Sequence, residues 1–288
     1  MRIYLILIIA ALSLACERAI DYKIPEQPSR FSVDARILTG ERLQVFVAKS
    51  EYSLGNTSPA VVSDASVVLL ENEQEVAVFQ WISNAPDIGY YYSPFRPRPG
   101  QSYRVEVSND ELGLASGEDI SLSPVNITGW EVDSSNLTLS ISFLDPADTA
   151  DFYAVRAYLK NEDREFPLLL GTTDPSVDFF YDFSDGIFGD NFKTGYAAFL
   201  SDQTFAGATK TVKFEEVFFA DDLGGLPESL ILEVTRISEE YYRHESTKGA
   251  QYTGGDNPFA EPVQIYSNIE NGYGIVAVGA PTRVEIKF

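Results

Sequence analysis

From Phe31 onward apolar and polar positions alternate over short runs. Phe31, Val33, Ala35 and Ile37 fall on one face, and Leu43, Val45 and Val47 on one face of the next run. A period of two marks a half-buried strand, because successive side chains leave a pleated backbone on opposite sides. The Thr39-Gly40-Glu41 link predicts a hairpin between the two runs. Further strands are predicted over 65–70, 76–81, 103–107 and 114–122, with Pro99-Gly100 as a turn. A second series covers 125–132, 137–143, 152–159, 196–200, 211–219, 229–237 and, last, 283–288. Leu139, Ile141 and Phe143 alternating with Ser140 and Ser142 fit a strand with one wet face.

One segment reads as helix, near 239–250. Ser238 is placed to cap it, and Glu239 and Glu240 lie where the positive end of a helix favours acids. Many short strands with a single helix predict a mostly β chain of two sandwich-like domains. Ser123-Pro124 divides an immunoglobulin-like or prealbumin-like domain over 31–123 from a β-rich one over 124–288. The stretch from Asn257 to Pro281 is rich in Pro, Asn and Gly, and is expected to be an ordered connector from the helix to the last strands. Phe259, Ile265, Ile269 and Ile275 would pin it to the core.

The first sixteen residues change this picture. MRIYLILIIAALSLAC carries Arg2, then an apolar run too short to span the hydrocarbon, and meets Glu17 and Arg18 at once. Residues 1–15 therefore read as a removable leader. Ala15-Cys16 resembles a lipoprotein cleavage site, with Ser13 where a Leu is usual. That resemblance makes Cys16 the acylated N-terminus, residues 16–30 a tether, and the expected location the outer membrane, on either its periplasmic or its outer side. Cys16 is the only cysteine, so no intrachain disulfide forms.

With 43 acidic against 21 basic residues the net charge is −22, which excludes nucleic acid as a natural partner. His244 is the only histidine, so zinc sites built on several imidazoles or thiolates are excluded. Between Arg243 and Glu245 it reads as a solvated helix residue, and no Gly-x-Ser-x-Gly elbow accompanies it. No catalytic residue is assigned, and the chain is expected not to be an enzyme. Asp182, Asp185 and Asp190, interleaved with Gly and Phe, are candidate oxygen ligands for Ca²⁺ without the calcium-loop spacing; no other cofactor is expected. The bland reading is a wet acidic loop whose phenylalanines tuck inward. Tyr90 and Tyr92, with Tyr91 and Trp81, are candidates for an aromatic binding platform, although Tyr91 must face opposite to its two neighbours. Glu261, Tyr266 and Asn268 are the candidate binding residues of the connector.

Asn257-Pro-Phe-Ala-Glu-Pro262, Tyr266-Ser-Asn268 and Gly272-Tyr-Gly274, with Tyr241-Tyr242 and Phe183-Ser-Asp185-Gly-Ile-Phe188, resemble the domain-of-unknown-function 4249 family. The resemblance covers nearly all of the chain after Cys16. It implies a Bacteroidota-type cell-envelope lipoprotein, of a kind often encoded beside TonB-dependent outer-membrane receptors, and hence a receptor accessory. The family defines no catalytic residues to carry over. The alternative expectation is a glycan- or peptide-binding or hydrolytic envelope protein that uses the acidic and aromatic loops.

Overall fold

In the computed structural model, residues 28–51, 60–85, 88–133, 138–147, 149–183, 191–218, 228–254, 261 and 263–288 are described, and the structural statements below concern these. The leader, Cys16, Asp185 and Asp190 lie outside them.

The predicted hairpin is present: β1 (Phe31–Leu38) pairs antiparallel with β2 (Leu43–Lys49), and their alternate apolar residues are buried. Beyond β2 the same sheet continues through β7 (Ile88–Ser93) and β6 (Gln80–Ala85), and the short β3 (Ala60–Val61) pairs with the end of β2. A separate four-stranded sheet contains β4 (Ser66–Glu71), β5 (Gln74–Val78), β8 (Ser102–Asn109) and β9 (Gly113–Ile120). The strand expected over 76–81 is thus two strands in two sheets. The chain changes sheets at Phe79, whose side chain is buried and whose N–H reaches the Val67 carbonyl at 2.9 Å. This corner closes a sandwich around Phe31, Val33, Ile37, Val45, Leu69, Tyr103 and Val105.

The second half repeats the scheme. β12 (Phe152–Asn161) joins β13 (Arg164–Pro167), β16 (Ala198–Ser201) and β18 (Ser229–Ile237). Over them lies a five-stranded sheet of β10 (Asn126–Asp133), β11 (Thr138–Leu144), β17 (Thr209–Phe218), β14 (Leu169–Thr172) and β15 (Lys193–Gly195). Their core holds Ile141, Phe143, Tyr153, Leu159, Leu200, Phe214 and Leu232. The chain is mostly β, with sandwich-like packing in both halves, as its pattern predicts.

One strand joins the halves. β19 (Gly272–Lys287) is sixteen residues long, where the sequence predicts a connector to 281 and a short strand from 283. Its first half runs parallel to β1, from Phe31↔Gly272 to Leu38↔Gly279. Its second half runs antiparallel to β18, from Ile237↔Gly279 to Ser229↔Lys287. Val276 and Val278 enter the first core, whereas Ile286 packs on the second, and all three share one face of the strand. The two sandwiches therefore share one ten-stranded sheet.

The length of β19 has a local cause. Gly272, Gly274, Gly279 and Pro281 read as turn punctuation, but a parallel strand buried on both faces needs close backbone approach rather than turns. At Gly274 φ is +104°, and a Cβ would stand 2.0 Å from the Val33 carbonyl oxygen. Pro281 pairs with Thr235, next to bonded neighbours set by Ser238 N–H donating to Val278. Its ring nitrogen therefore points away from β18, past the end of β1, where no ladder bond is lost.

Replacing Gly274 with Ala is expected to destabilise the fold by about 3 kcal/mol or more, through strain and steric overlap together. Gly129→Ala, where the added methyl meets nothing within 4 Å, is the control and is expected to change stability little. Denaturant unfolding of the two variants measures the difference.

Candidate functional site

The helix α1 (Glu239–Gly254) lies across the outer face of the shared sheet, over β19 and β12. Ser238 caps it as predicted: its hydroxyl accepts the Tyr241 N–H at 3.2 Å, and its carbonyl accepts that of Tyr242. Tyr241, His244, Glu245 and Gly249 turn inward. Gly249 rests on the chain below; a Cβ there would meet the Phe180 carbonyl oxygen at 2.3 Å. Tyr241 and Tyr242 join Phe152, Phe180, Phe199 and Ile275 in a third, smaller core.

Charge completes the docking. The Arg36 guanidinium donates to Glu245 at 2.8 Å and to the Tyr241 hydroxyl at 3.2 Å, and pairs with Asp34 at 3.1 Å. Burial alone would lower the Arg36 pKa; Tyr241, Asp34 and Glu245 outweigh it and hold the charge in place. A similar row crosses the neighbouring strands. Arg156 meets Glu233 at 3.3 Å, Glu233 meets Arg283 at 2.7 Å, and Arg283 meets Glu165 at 3.2 Å. Each charge in these rows has an opposite neighbour, which is the arrangement of a fixed scaffold.

The chain then returns over the helix. Tyr266 donates its N–H to Thr247 Oγ1 at 2.9 Å, accepts His244 Nδ1–H on its carbonyl at 2.7 Å, and donates its hydroxyl to Glu240. Its ring lies 4.1 Å below the Arg243 guanidinium. His244 is therefore buried, not solvated as its sequence neighbours suggest. Arg243 and Glu245 project to either side of it and find partners of their own, and the returning chain covers the ring between them. Clefts of about 420 and 520 Å³ flank the connector on its two sides. The larger is lined by Asp34, His244, Lys248, Gln264 and Tyr273, among others.

Asn268 has a different task. On the side of β19 away from β1 no strand is available before residue 279. There the Asn268 amide accepts the Val276 N–H at 2.9 Å and donates to the Val276 carbonyl at 2.7 Å. Two residues on, Asp119 of β9 accepts the Val278 N–H at 2.9 Å. These two side chains stand in for the missing strand. Burial pushes the Asp119 carboxyl up to about 6, against the lowering effect of its bonds to Ser238 and to the Ile120 and Val278 amides. Sequence reasoning missed Asp119, because nothing local marks an acid that serves a strand so distant in sequence. Glu261 is exposed.

The aromatic candidates separate by face. Tyr91 is buried, its hydroxyl donating to the Val62 carbonyl at 3.1 Å and accepting the Ala65 N–H at 2.8 Å, with Trp81 against its ring at 5.1 Å. Tyr90 and Tyr92 point outward, where Tyr90 meets Phe46 at 5.9 Å. A groove of about 320 Å³ beside them is lined by Asp34, Arg36, Leu38, Arg42, Gln44 and Phe46.

Of the three acidic candidates, Asp182 is described: its carboxylate accepts the Thr194 N–H of β15 at 3.0 Å. Phe179 is buried in the second core, as the bland reading expects, whereas Phe183 is half exposed. A different acidic group comes together in the fold. Asp145, Asp151 and Asp202 are buried with carboxylate oxygens within 4.8 Å of one another, a spacing that suits a hard divalent cation. Protein groups already engage them. Asp145 takes the Gly207 N–H at 2.7 Å and the Tyr153 hydroxyl, while Asp151 takes Arg236 Nε at 2.7 Å and Thr149 at 2.8 Å. Burial, with Asp145 and Asp151 nearby, raises the Asp202 pKa despite the neighbouring backbone amides.

The model of a domain of unknown function, DUF4249, matches residues 17–285. The chain is a member of the DUF4249 family. Blocks that carry the family resemblance, Tyr241-Tyr242, Tyr266-Ser-Asn268 and Gly272-Tyr-Gly274, are those that lock α1, the connector and β19 together in this DUF4249 fold. No curated protein matches the sequence. Among solved structures, a DUF4785 family protein from Legionella pneumophila is similar at 12% identity over 73% of this chain, with a TM-score of 0.27. The match spans 53% of that protein's length.

The Asp119 shift has a pH consequence. Its folded pKa, about 6, lies above its ordinary value of 3.8. Between these values the unfolded chain releases the proton while the folded one keeps it. Its contribution is therefore complete below about pH 4 and lost as pH rises through about 6. Asp119→Asn keeps an acceptor for Val278 and is expected to gain stability relative to the parent as pH rises from about 4 to about 6. Paired melts across that window test the sign.

Proposed function

We propose that this DUF4249 protein is a lipid-anchored, non-enzymatic binding protein of the cell envelope that serves as an accessory to a TonB-dependent outer-membrane receptor. One observation carries the non-enzymatic part. The groups with the most chemical potential, His244, Tyr266, Asn268 and the Arg36–Glu245 pair, are engaged in hydrogen bonds and an ion pair that hold α1 and β19 in place. The leader over residues 1–15, followed by Cys16 and a short tether, supports attachment to the outer membrane. The shared sheet supplies a rigid body on that tether. The receptor is the partner that the family resemblance implies.

The binding half of a second reading, a glycan- or peptide-binding envelope protein, draws support from the open outer face bearing Phe46, Tyr90 and Tyr92. Its hydrolytic half has less: Asp145, Asp151 and Asp202 are tied to protein donors or closed in by burial.

Two measurements test the proposal. Cys16→Ser is expected to move the protein from the membrane fraction to the soluble fraction of the native cells; retention in the membrane would overturn the anchor. Detergent extraction and affinity capture of the full chain from those cells is expected to recover a β-barrel receptor in a stable ratio. Recovery as a lone monomer sinks the partnership.

A further inference from the structure

The outer face of β2, β7 and β6 lies beyond the helix, and its side chains form two rows. In register, Gln44 lies opposite Tyr92, and Tyr92 opposite Gln80. The adjacent row runs Phe46, Tyr90 and Ile82, with Tyr90 paired to Ile82 and its ring against Phe46. Phe46 is 50% exposed. Arg42 and Gln44 line the groove that ends at Phe46.

The polar members of this face are unusual for this molecule. Among the described residues, the side chains of Arg42, Gln44, Gln80, Tyr90 and Tyr92 hydrogen-bond no other residue and form no ion pair. By contrast, Asp34 and Arg36 on β1, Glu245 on α1, and Arg156, Glu233 and Arg283 on the far half of the shared sheet are all paired. The face thus offers ring surfaces beside free amide, hydroxyl and guanidinium groups, all on strands whose inner sides are locked in a core.

We propose that this face is a binding site for an extended neutral polysaccharide. A sugar ring presents an apolar C–H face and a rim of hydroxyls that both donate and accept, so it needs an aromatic ring with amides beside it. Phe46 and Tyr90 supply the ring surfaces; Gln44, Gln80, Arg42 and the tyrosine hydroxyls supply the rim contacts. Among the described residues no wall encloses this sheet face, which suits a chain that lies along it rather than a small molecule that must be surrounded. Charge selects the neutral class. Arg36 is neutralised by Asp34 and Glu245, so Arg42 is the one free charge of the groove, while the chain as a whole carries −22 and repels polyanions. A protein partner is the competing occupant of such a sheet face, but the centre of a protein interface favours packed apolar groups over rows of free amides. The inference rests on the binding reading above and not on the receptor partnership.

Full-length protein in detergent is run in native gels cast with laminarin, xylan, galactomannan or pullulan, and in one cast with polygalacturonate. Retardation is expected in at least one neutral gel and not in the polygalacturonate gel. Phe46→Ala and Tyr90→Ala are each expected to weaken that retardation about tenfold, while Tyr252→Ala, an exposed ring on α1, leaves it unchanged. Unaltered melting curves of the three variants exclude misfolding as the cause; Gln44→Ala, at an exposed position, replaces either variant that fails this check. Migration unchanged in every neutral gel, retardation only by the acidic polymer, or retardation indifferent to Phe46 and Tyr90 would each overturn the proposal. The assay uses isolated protein, so its failure is distinguishable from a failure of receptor capture.

Discussion

The molecule depends on the double pairing of β19. Two sandwiches built from consecutive halves of the chain would ordinarily meet through a linker and move against each other. Here one sixteen-residue strand is hydrogen-bonded to β1 in its first half and to β18 in its second, with Gly279 paired on both sides. Bending between the halves would break backbone ladders, not merely separate two surfaces. The parallel alignment with β1 also ties the last strand to the first, so the end of the chain closes what its beginning opened.

That arrangement sets a second problem, and the solution explains the most distinctive part of the sequence. Where β19 pairs with β1 alone, its other edge has backbone groups in need of partners. Asn268, Asp119 and Ser238 provide them, and Tyr266 is clamped by Thr247, His244 and Glu240 so that the connector arrives in position. The helix is polar over much of its length, and its place is set by Arg36–Glu245 and a few aromatic rings more than by an apolar stripe. The blocks that place the chain in the DUF4249 family thus encode a structural join. Function is better sought on the sheet face that this machinery leaves free.

Strands were legible where a clean alternation marks one face that meets water. The alternation of Phe31 to Ile37 and of Leu139 to Phe143, and the Ser238 cap with its two following acids, each carry a local signature, and each element formed where the pattern placed it. Gly272 to Pro281 failed as a strand prediction because burial on both faces removes the alternation, and glycines required for close approach look like turns. His244 failed for a related reason: its burial is made by residue 266, which periodicity around residue 244 does not register. Among the tyrosines, pattern separated Tyr91 from Tyr90 and Tyr92; it did not bring Phe46 beside Tyr90, which needs the β2–β7 pairing.

By itself, then, the sequence determined the β class, the helix that Ser238 caps and the family. These follow from local alternation, capping and a long stretch of specific residues. Only tertiary structure decided that the two sandwiches share a sheet, that Asp119 completes a ladder, that Asp145, Asp151 and Asp202 converge, and that Phe46, Tyr90 and two glutamines share an open face. Each of these is a contact between segments far apart along the chain, fixed by strand pairing and register, and the period of a single segment holds no record of its partner.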